Sequence, residues 1–107
     1  MPSEITPLEL ASMLNKGQAV HLLDVRLPVE HAHVALPQSQ LLPLQELPAR
    51  WQEVQPGHAL LVVYCHHGVR SWHAACFLEQ QGLSGVMSLQ GGIDAWSLQV
   101  DPSMVRY

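Results

Sequence analysis

The sequence predicts an α/β fold: a central, mostly parallel sheet of about five strands covered by helices on both faces, three layers in all. Three observations predict it. Short apolar runs alternate with amphipathic stretches along the whole chain. Glycine and proline punctuate the junctions between them, as at Pro28, Pro56-Gly57 and Gly91-Gly92. The longest apolar run, Ala59 to Cys65, is far too short to span a bilayer but suits a buried parallel strand.

The elements follow in order. Ser3-Glu4-Ile5 is a short first strand. Thr6 caps a helix, with Pro7 at its first position and Glu9 three residues after the cap, the spacing of a capping box. Leu8, Leu10, Ala11 and Leu14 give that helix its apolar face, and Gly17 ends it. Ala19 to Val25 predicts a central strand running into Asp24-Val25-Arg26. Pro28 to Val34 predicts one or two helical turns, and Gln40 to Leu42 a short strand. Leu44 to Trp51 has helical spacing, which Pro48 limits to short turns. After the Pro56-Gly57 turn, Ala59 to Tyr64 is the next strand. Ser71 to Gln81 is the longest helix, with Ala74, Ala75, Phe77 and Leu78 inward and Gly82 as its C-cap. Val86 to Leu89 is the last strand, and Gly91-Gly92 opens a final helix through Ile93, Ala95 and Trp96. The tail from Val100 to Tyr107, broken by Pro102, is irregular.

A chain of 107 residues suits one domain, residues 1–107, with room for a real core. Apolar residues at 48% exclude a disordered chain. Five Lys and Arg against nine Asp and Glu, with no basic run, argue against a nucleic-acid partner. No stretch is long and apolar enough for a membrane partner to be expected. Met1-Pro2-Ser3-Glu4 shows no signal-peptide pattern, so the cytoplasm is the expected location.

The chemistry concentrates at Cys65. A strand ends in this cysteine, a short loop with Gly68 follows, and a helix starts near Ser71. Ligands of open α/β sheets bind at the carboxyl ends of strands. Loop amides and a helix N-terminus aimed at the sulfur favour its thiolate form. Cys76, two turns into the helix, is too far away for a relaxed disulfide and is expected to be a small core residue. His66, His67 and His73 beside Cys65 lack the paired spacing of a zinc site, so no metal is expected. His73 is expected on the helix surface, Trp51, Trp72 and Trp96 in packing roles, and Asp24 and Arg26 in structural ones.

The segment Cys65-His66-His67-Gly68-Val69-Arg70-Ser71 resembles the active-site loop of the rhodanese family of sulfurtransferases. Leu22-Leu23-Asp24-Val25-Arg26-Leu27-Pro28-Val29-Glu30 resembles the family's Asp-x-Arg…Glu segment. Leu89-Gln90-Gly91-Gly92-Ile93-Asp94-Ala95-Trp96 resembles its Gly-Gly…Ala-Trp close. The chain departs from the family where a Gly-His pair is usual, reading Val34 and Ala35, and where Gly-Ala is usual, reading Gln38-Ser39. The resemblance implies a rhodanese-like α/β/α fold and transfer of sulfane sulfur from a donor such as thiosulfate, through a Cys65 persulfide, to cyanide or a thiol. It implies Cys65 as the nucleophile and His66, His67, Gly68, Val69 and Arg70 as the loop around the substrate, with no cofactor. Amides from His66 to Ser71 would cradle the charged sulfur. Arg70 would hold the loop or meet an anionic donor. Arg26 and Glu30 would brace the loops near the pocket, as an ion pair.

Two alternatives share the fold. Cysteine-based phosphatases and arsenate reductases are one. The phosphatases place five residues between cysteine and arginine, whereas four separate Cys65 from Arg70, a cradle sized for one sulfur atom. Non-catalytic rhodanese-like binding modules are the other, but those are expected to lack the cysteine. The ending Val100 to Tyr107 is similar to the tail of rhodanese domains fused to adenylyltransferases. A sulfur-carrier or adenylyltransferase protein is therefore an expected partner.

Overall fold

The computed structural model describes residues 2–107. Its strands are β1 (Ser3–Ile5), β2 (Val20–Asp24), β3 (Gln40–Leu41), β4 (Leu60–Tyr64) and β5 (Met87–Leu89). Its helices are α1 (Pro7–Asn15), α2 (Pro28–His33), α3 (Leu47–Arg50), α4 (Val69–Gln80) and α5 (Gly92–Gln99). The strands form one sheet in the order β1-β5-β4-β2-β3, and every pairing is parallel. β4 lies at the centre, with Val62 opposite both Leu22 and Met87.

Strand periodicity sorts the core into two halves. Leu23, Leu61 and Val63 face α3 and α4, with Leu47, Ala74, Ala75 and Leu78 packed over them. Leu22, Val62 and Tyr64 face α1 and α5, under Leu10, Ile93 and Trp96. Cys65 continues the first of these faces, which carries it toward α4. Val62, Val63, Leu10 and Leu78 are fully buried, each contributing about 1.5–3 kcal/mol of transfer free energy.

The helix starts obey local chemistry. The Thr6 hydroxyl accepts from the Glu9 amide at 3.1 Å, and Glu9 accepts from the Thr6 amide at 2.9 Å, so the expected capping box is formed. The apolar face of α1 differs from the expected one. Leu8 and Leu14 are exposed, whereas Leu10 and Ala11 pack as expected and Pro7 and Met13 join them. Helix α4 begins at Val69, two residues before the expected start, because Gly68 turns the chain at φ 103°. Its buried residues Ser71, Ala74, Ala75 and Leu78 repeat at helical spacing. Phe77 is half-buried against that core, and Gly82 lies just past the helix end, with Gln81 as the cap itself. Cys76 is half-buried rather than a core residue, since its position falls off that stripe. His73 is exposed as expected, Trp96 is buried, and Trp51 packs partly buried against the core.

Gln38 adopts φ 61°, a left-handed conformation uncommon for a side chain of this kind. This is the position where the family pattern has glycine, so the departure leaves the backbone turn in place and puts a less suited residue on it. Among the described residues, no helix is long and apolar enough to cross a membrane.

Candidate active site

Cys65 follows the central strand and is 1% exposed. Two sets of hydrogen bonds shape the loop after it. The carbonyl oxygens of Cys65 and His66 accept from the amides of Ile93 (2.9 Å) and Asp94 (3.1 Å) in the first turn of α5. Gly92 permits this approach: a Cβ there would collide with both carbonyl oxygens. With those carbonyls directed to α5, amides further along turn toward the sulfur. Gly68 N–H donates to Cys65 Sγ at 3.1 Å and Ser71 N–H at 3.3 Å. Of the amides expected from His66 to Ser71, these two reach the thiol. Both stand at the N-terminal end of α4, where the helix dipole favours negative charge.

The buried Ser71 hydroxyl completes the cradle. It accepts from the Cys65 thiol at 3.5 Å, donates to Gly68 O at 3.2 Å and pairs with the Ser88 hydroxyl at 2.7 Å. Sulfur therefore sits among two donating amides, which favour negative charge on it, and one accepting hydroxyl.

Arg70 is the loop residue whose partner the sequence left open. Its guanidinium makes two parallel bonds to Glu30, at 2.8 and 3.0 Å. Such a fork fixes α4 to α2 and holds the loop. The expected Arg26–Glu30 ion pair is not formed. Arg26 is fully buried and grips Asp24 through Nε (2.8 Å) and Nη2 (2.7 Å). Asp24 lies at the end of β2, only two residues away, so its carboxylate reaches Arg26 first. Glu30, one turn into α2, is carried outward to Arg70. Both residues brace the site, each with a different partner. Arg26 Nη2 also donates to the Val34 carbonyl at 2.6 Å, and His31 Nδ1 lies 2.8 Å from Asp24 Oδ2.

Tyr107 joins these two pairs. Its hydroxyl accepts from Arg26 Nη1 at 2.6 Å and donates to Glu30 Oε2 at 2.9 Å. Its ring stacks on His66 at 4.0 Å between centroids, and His67 stacks on His66 at the same spacing. The tail is irregular, as expected, yet it packs against the site. Composition gave no sign of this, since a lone terminal tyrosine resembles any exposed aromatic. Asp94 and Arg106 were missed for the same reason: they pair at 3.0 Å across a gap in sequence that no periodicity connects.

Electrostatics follow from these contacts. The Arg70 bonds hold the Glu30 carboxyl at about 2, against an ordinary value of 4.5. Burial, and then the neighbouring His67, push His66 below the usual imidazole range. Burial pushes the Tyr107 phenol up to about 12. Because the Glu30 pKa is depressed on folding, its contribution is complete above about 4.5 and is lost as pH falls toward about 2. Wild type should therefore lose its stability advantage over Glu30→Gln across that window. Denaturant midpoints measured at several pH values test it, and a constant gap between the two proteins would refute it.

The remaining loop residues form the rim. His67 and Val69 are exposed, while His66, Gly68 and Arg70 are half-buried. His66, His67 and Asp94 offer ligand atoms within 4.8 Å of one another, so these three could approach one metal ion. Asp94 already accepts two bonds from Arg106 (3.0 and 3.1 Å), and His66 is covered on both faces by rings. Both of those bonds fall on Asp94 Oδ1, and Oδ2 lies 3.7 Å from His67 Nε2.

Residues 6–99 match the rhodanese-like domain. The chain is 40% identical over 106 residues to the protein named probable adenylyltransferase/sulfurtransferase MoeZ of Mycobacterium tuberculosis, covering 98% of this chain and 27% of that protein. It thus spans about a quarter of the length of these MoeZ relatives. It is 38% identical over 97 residues to a sulfurtransferase of Allochromatium vinosum, covering 91% of this chain and 90% of that one. Among solved structures, a rhodanese-related protein of Thermoplasma volcanium superposes with a TM-score of 0.83 at 30% identity, covering 98% and 99% of the two chains. Fold, loop order and relatives agree: the chain belongs to the rhodanese-like domain family.

Proposed function

We propose that the protein is a rhodanese-type sulfurtransferase that carries sulfane sulfur on Cys65. One observation carries the reading: a strand-end sulfur accepting two backbone amides, Gly68 and Ser71, at the N-terminus of a twelve-residue helix. Cys65 thiolate attacks the outer sulfur of a donor such as thiosulfate. The donor S–S bond breaks, its electron pair leaves with sulfite, and Cys65 becomes a persulfide. A thiolate or cyanide then attacks the outer sulfur, and the electron pair of the breaking bond returns to Cys65. The Gly68 and Ser71 amides stabilise the charge that gathers on sulfur at each step. No cofactor enters this cycle.

The phosphatase and arsenate-reductase readings fit less well. The loop holds one residue fewer than a phosphatase loop, and Arg70 is committed to Glu30 rather than turned over the sulfur. The relative named thiosulfate sulfurtransferase GlpE, of Haemophilus influenzae, is 31% identical and supports a small inorganic donor. The MoeZ likeness, together with that to the adenylyltransferase and sulfurtransferase MOCS3 of Arabidopsis thaliana, supports a sulfur-carrier or adenylyltransferase partner served in trans. Cytoplasmic placement belongs to the same proposal and suits the two free thiols, Cys65 and Cys76.

Intact mass after incubation with thiosulfate tests the reaction. One sulfur atom should be gained by wild type and by Cys76→Ser alike. No gain, or a gain that disappears with Cys76, would overturn the assignment.

A further inference from the structure

We infer that Ser88 is a positioning residue: its hydroxyl, donating to Ser71, leaves the Ser71 hydroxyl free to reverse from acceptor of the Cys65 thiol to donor toward the charged sulfur. The inference rests on the sulfur-transfer reading for its use and adds a residue to that site. Ser88 stands in β5 opposite Val63, and Cys65 lies two residues beyond Val63 on the same sheet face. That face otherwise carries Leu23, Leu61 and Val63, and Ser88 is fully buried on it. A buried hydroxyl in apolar surroundings costs free energy unless it is hydrogen-bonded. Among the described residues, the side-chain partner of Ser88 is Ser71, at 2.7 Å.

Counting protons gives the direction of each bond. A hydroxyl has one proton and two lone pairs. Ser71 donates its proton to Gly68 O (3.2 Å) and accepts the thiol proton of Cys65 (3.5 Å). One lone pair is left, so Ser88 is the donor at 2.7 Å. Loss of the thiol proton to solvent turns the first lone pair against a negative sulfur. Ser71 then swings its own proton from Gly68 O to Sγ. Gly68 O is not orphaned, because it keeps the Trp72 amide at 3.2 Å. Ser88 goes on donating, so neither oxygen changes charge and both hydroxyls stay paired. The chain Ser88–Ser71–Sγ then runs in one direction, an order in which each hydrogen bond strengthens the next. A persulfide presents the same need, since its Sγ carries no proton either. Cys65, Ser71 and Ser88 are all buried, so bulk water does not replace the Ser88 hydroxyl.

Titration of the Cys65 thiol tests this, followed by the ultraviolet absorbance of the thiolate in a Cys76→Ser background. Burial raises the Tyr64 and Tyr107 phenols, which keeps their ionisation away from the thiol's. The other titratable and charged groups around the thiol are His66 and His67 on its own loop, Arg70 on α4, Glu30 on α2, Asp94 on α5 and the Asp24–Arg26 pair beyond β2. Their bonds go to one another and not to Ser71 or Ser88, so their effect is common to all the variants. Ser88→Ala should move the midpoint upward by about 0.7 pH unit, roughly a fivefold loss of thiolate below it, the scale of one hydrogen bond. Ser71→Ala should move it at least as far. The double variant should move it no further than Ser71→Ala, since Ser88 acts through Ser71. Ser88→Thr and Ser88→Val share a shape and differ in the hydroxyl. The first should titrate like wild type and the second like Ser88→Ala, which carries the test if the alanine variant fails to fold. A purely structural role would lower stability and leave the midpoint in place. That result, or additive shifts in the double variant, would overturn the inference. If the midpoint moves as expected but wild type transfers no sulfur, the sulfurtransferase reading fails and the relay stands. If wild type transfers sulfur and the midpoint stays, the relay fails alone.

Discussion

Cys65→Ser is expected to abolish sulfur transfer, by about 10⁴-fold or more, while leaving the fold intact. The cradle explains both halves of that outcome. Serine is close to cysteine in shape, and its oxygen can accept from Gly68 and Ser71 as the sulfur does. The stability change should therefore stay within about 1 kcal/mol, readable as an unchanged denaturant midpoint. The hydroxyl cannot replace the chemistry, because it ionises far above neutral pH and does not form a persulfide. Residual transfer above a protein-free control, or sulfur still bound in the intact mass, would place the nucleophile elsewhere. The nearest other thiol, Cys76, lies half-buried on α4 and would then be the suspect.

Gly92→Ala should damage both stability and activity, by a route that never touches the sulfur. Gly92 has φ 63°, and an added Cβ would strike the carbonyl oxygens of Cys65 and His66. Left-handed strain in a residue with a side chain costs about 1–3 kcal/mol. Overpacking against backbone adds about 1–3 kcal/mol more. A loss of about 2–6 kcal/mol is a large share of the about 5–15 kcal/mol that holds a domain of this size together. The carbonyls can escape only by turning, which re-aims the loop amides away from Sγ. Transfer per folded molecule should fall about tenfold or more, as when donors to a developing charge are misplaced. Gly82→Ala supplies the comparison. Its φ is 104° and nothing lies within 4 Å of its Cβ site, so it carries the conformational strain without the collision. Equal losses in the two variants would mean that the contact with the loop is unimportant.

Much of this architecture was legible in the residues. The alternation of apolar runs with amphipathic stretches gave the strands and helices in order, and the Thr6 and Glu9 pair gave the first cap. Cys65, Gly68 and Arg70 stood out because a tight loop after a strand leaves a local spacing. What the sequence hid are the pairings between distant segments. Asp24 and Glu30 are both near Arg26 in the chain, and nothing local tells which of them takes it. Side-chain reach from the β2 terminus decides it, giving Asp24 to Arg26 and leaving Glu30 for Arg70. Tyr107 was hidden more deeply. Its role depends on where an irregular tail returns, and an irregular segment has no period from which to read a direction.

The pairing of β1 with β5 has a consequence for synthesis on the ribosome. Ser3 stands beside Met87 and Ile5 beside Leu89. The first strand of the domain thus has no neighbour in the sheet until nearly all of the domain has been made. β2 and β4 can pair earlier, across shorter loops. The loop after β4 waits as well, because Ile93 and Asp94 must arrive to take the carbonyls of Cys65 and His66. A nascent chain stalled before residue 87 should expose the β5 side of β4 and hold a thiol in an unformed loop. Assembly of the sheet and closure of the loop after Cys65 are therefore late events, completed together once residues 87–94 have emerged.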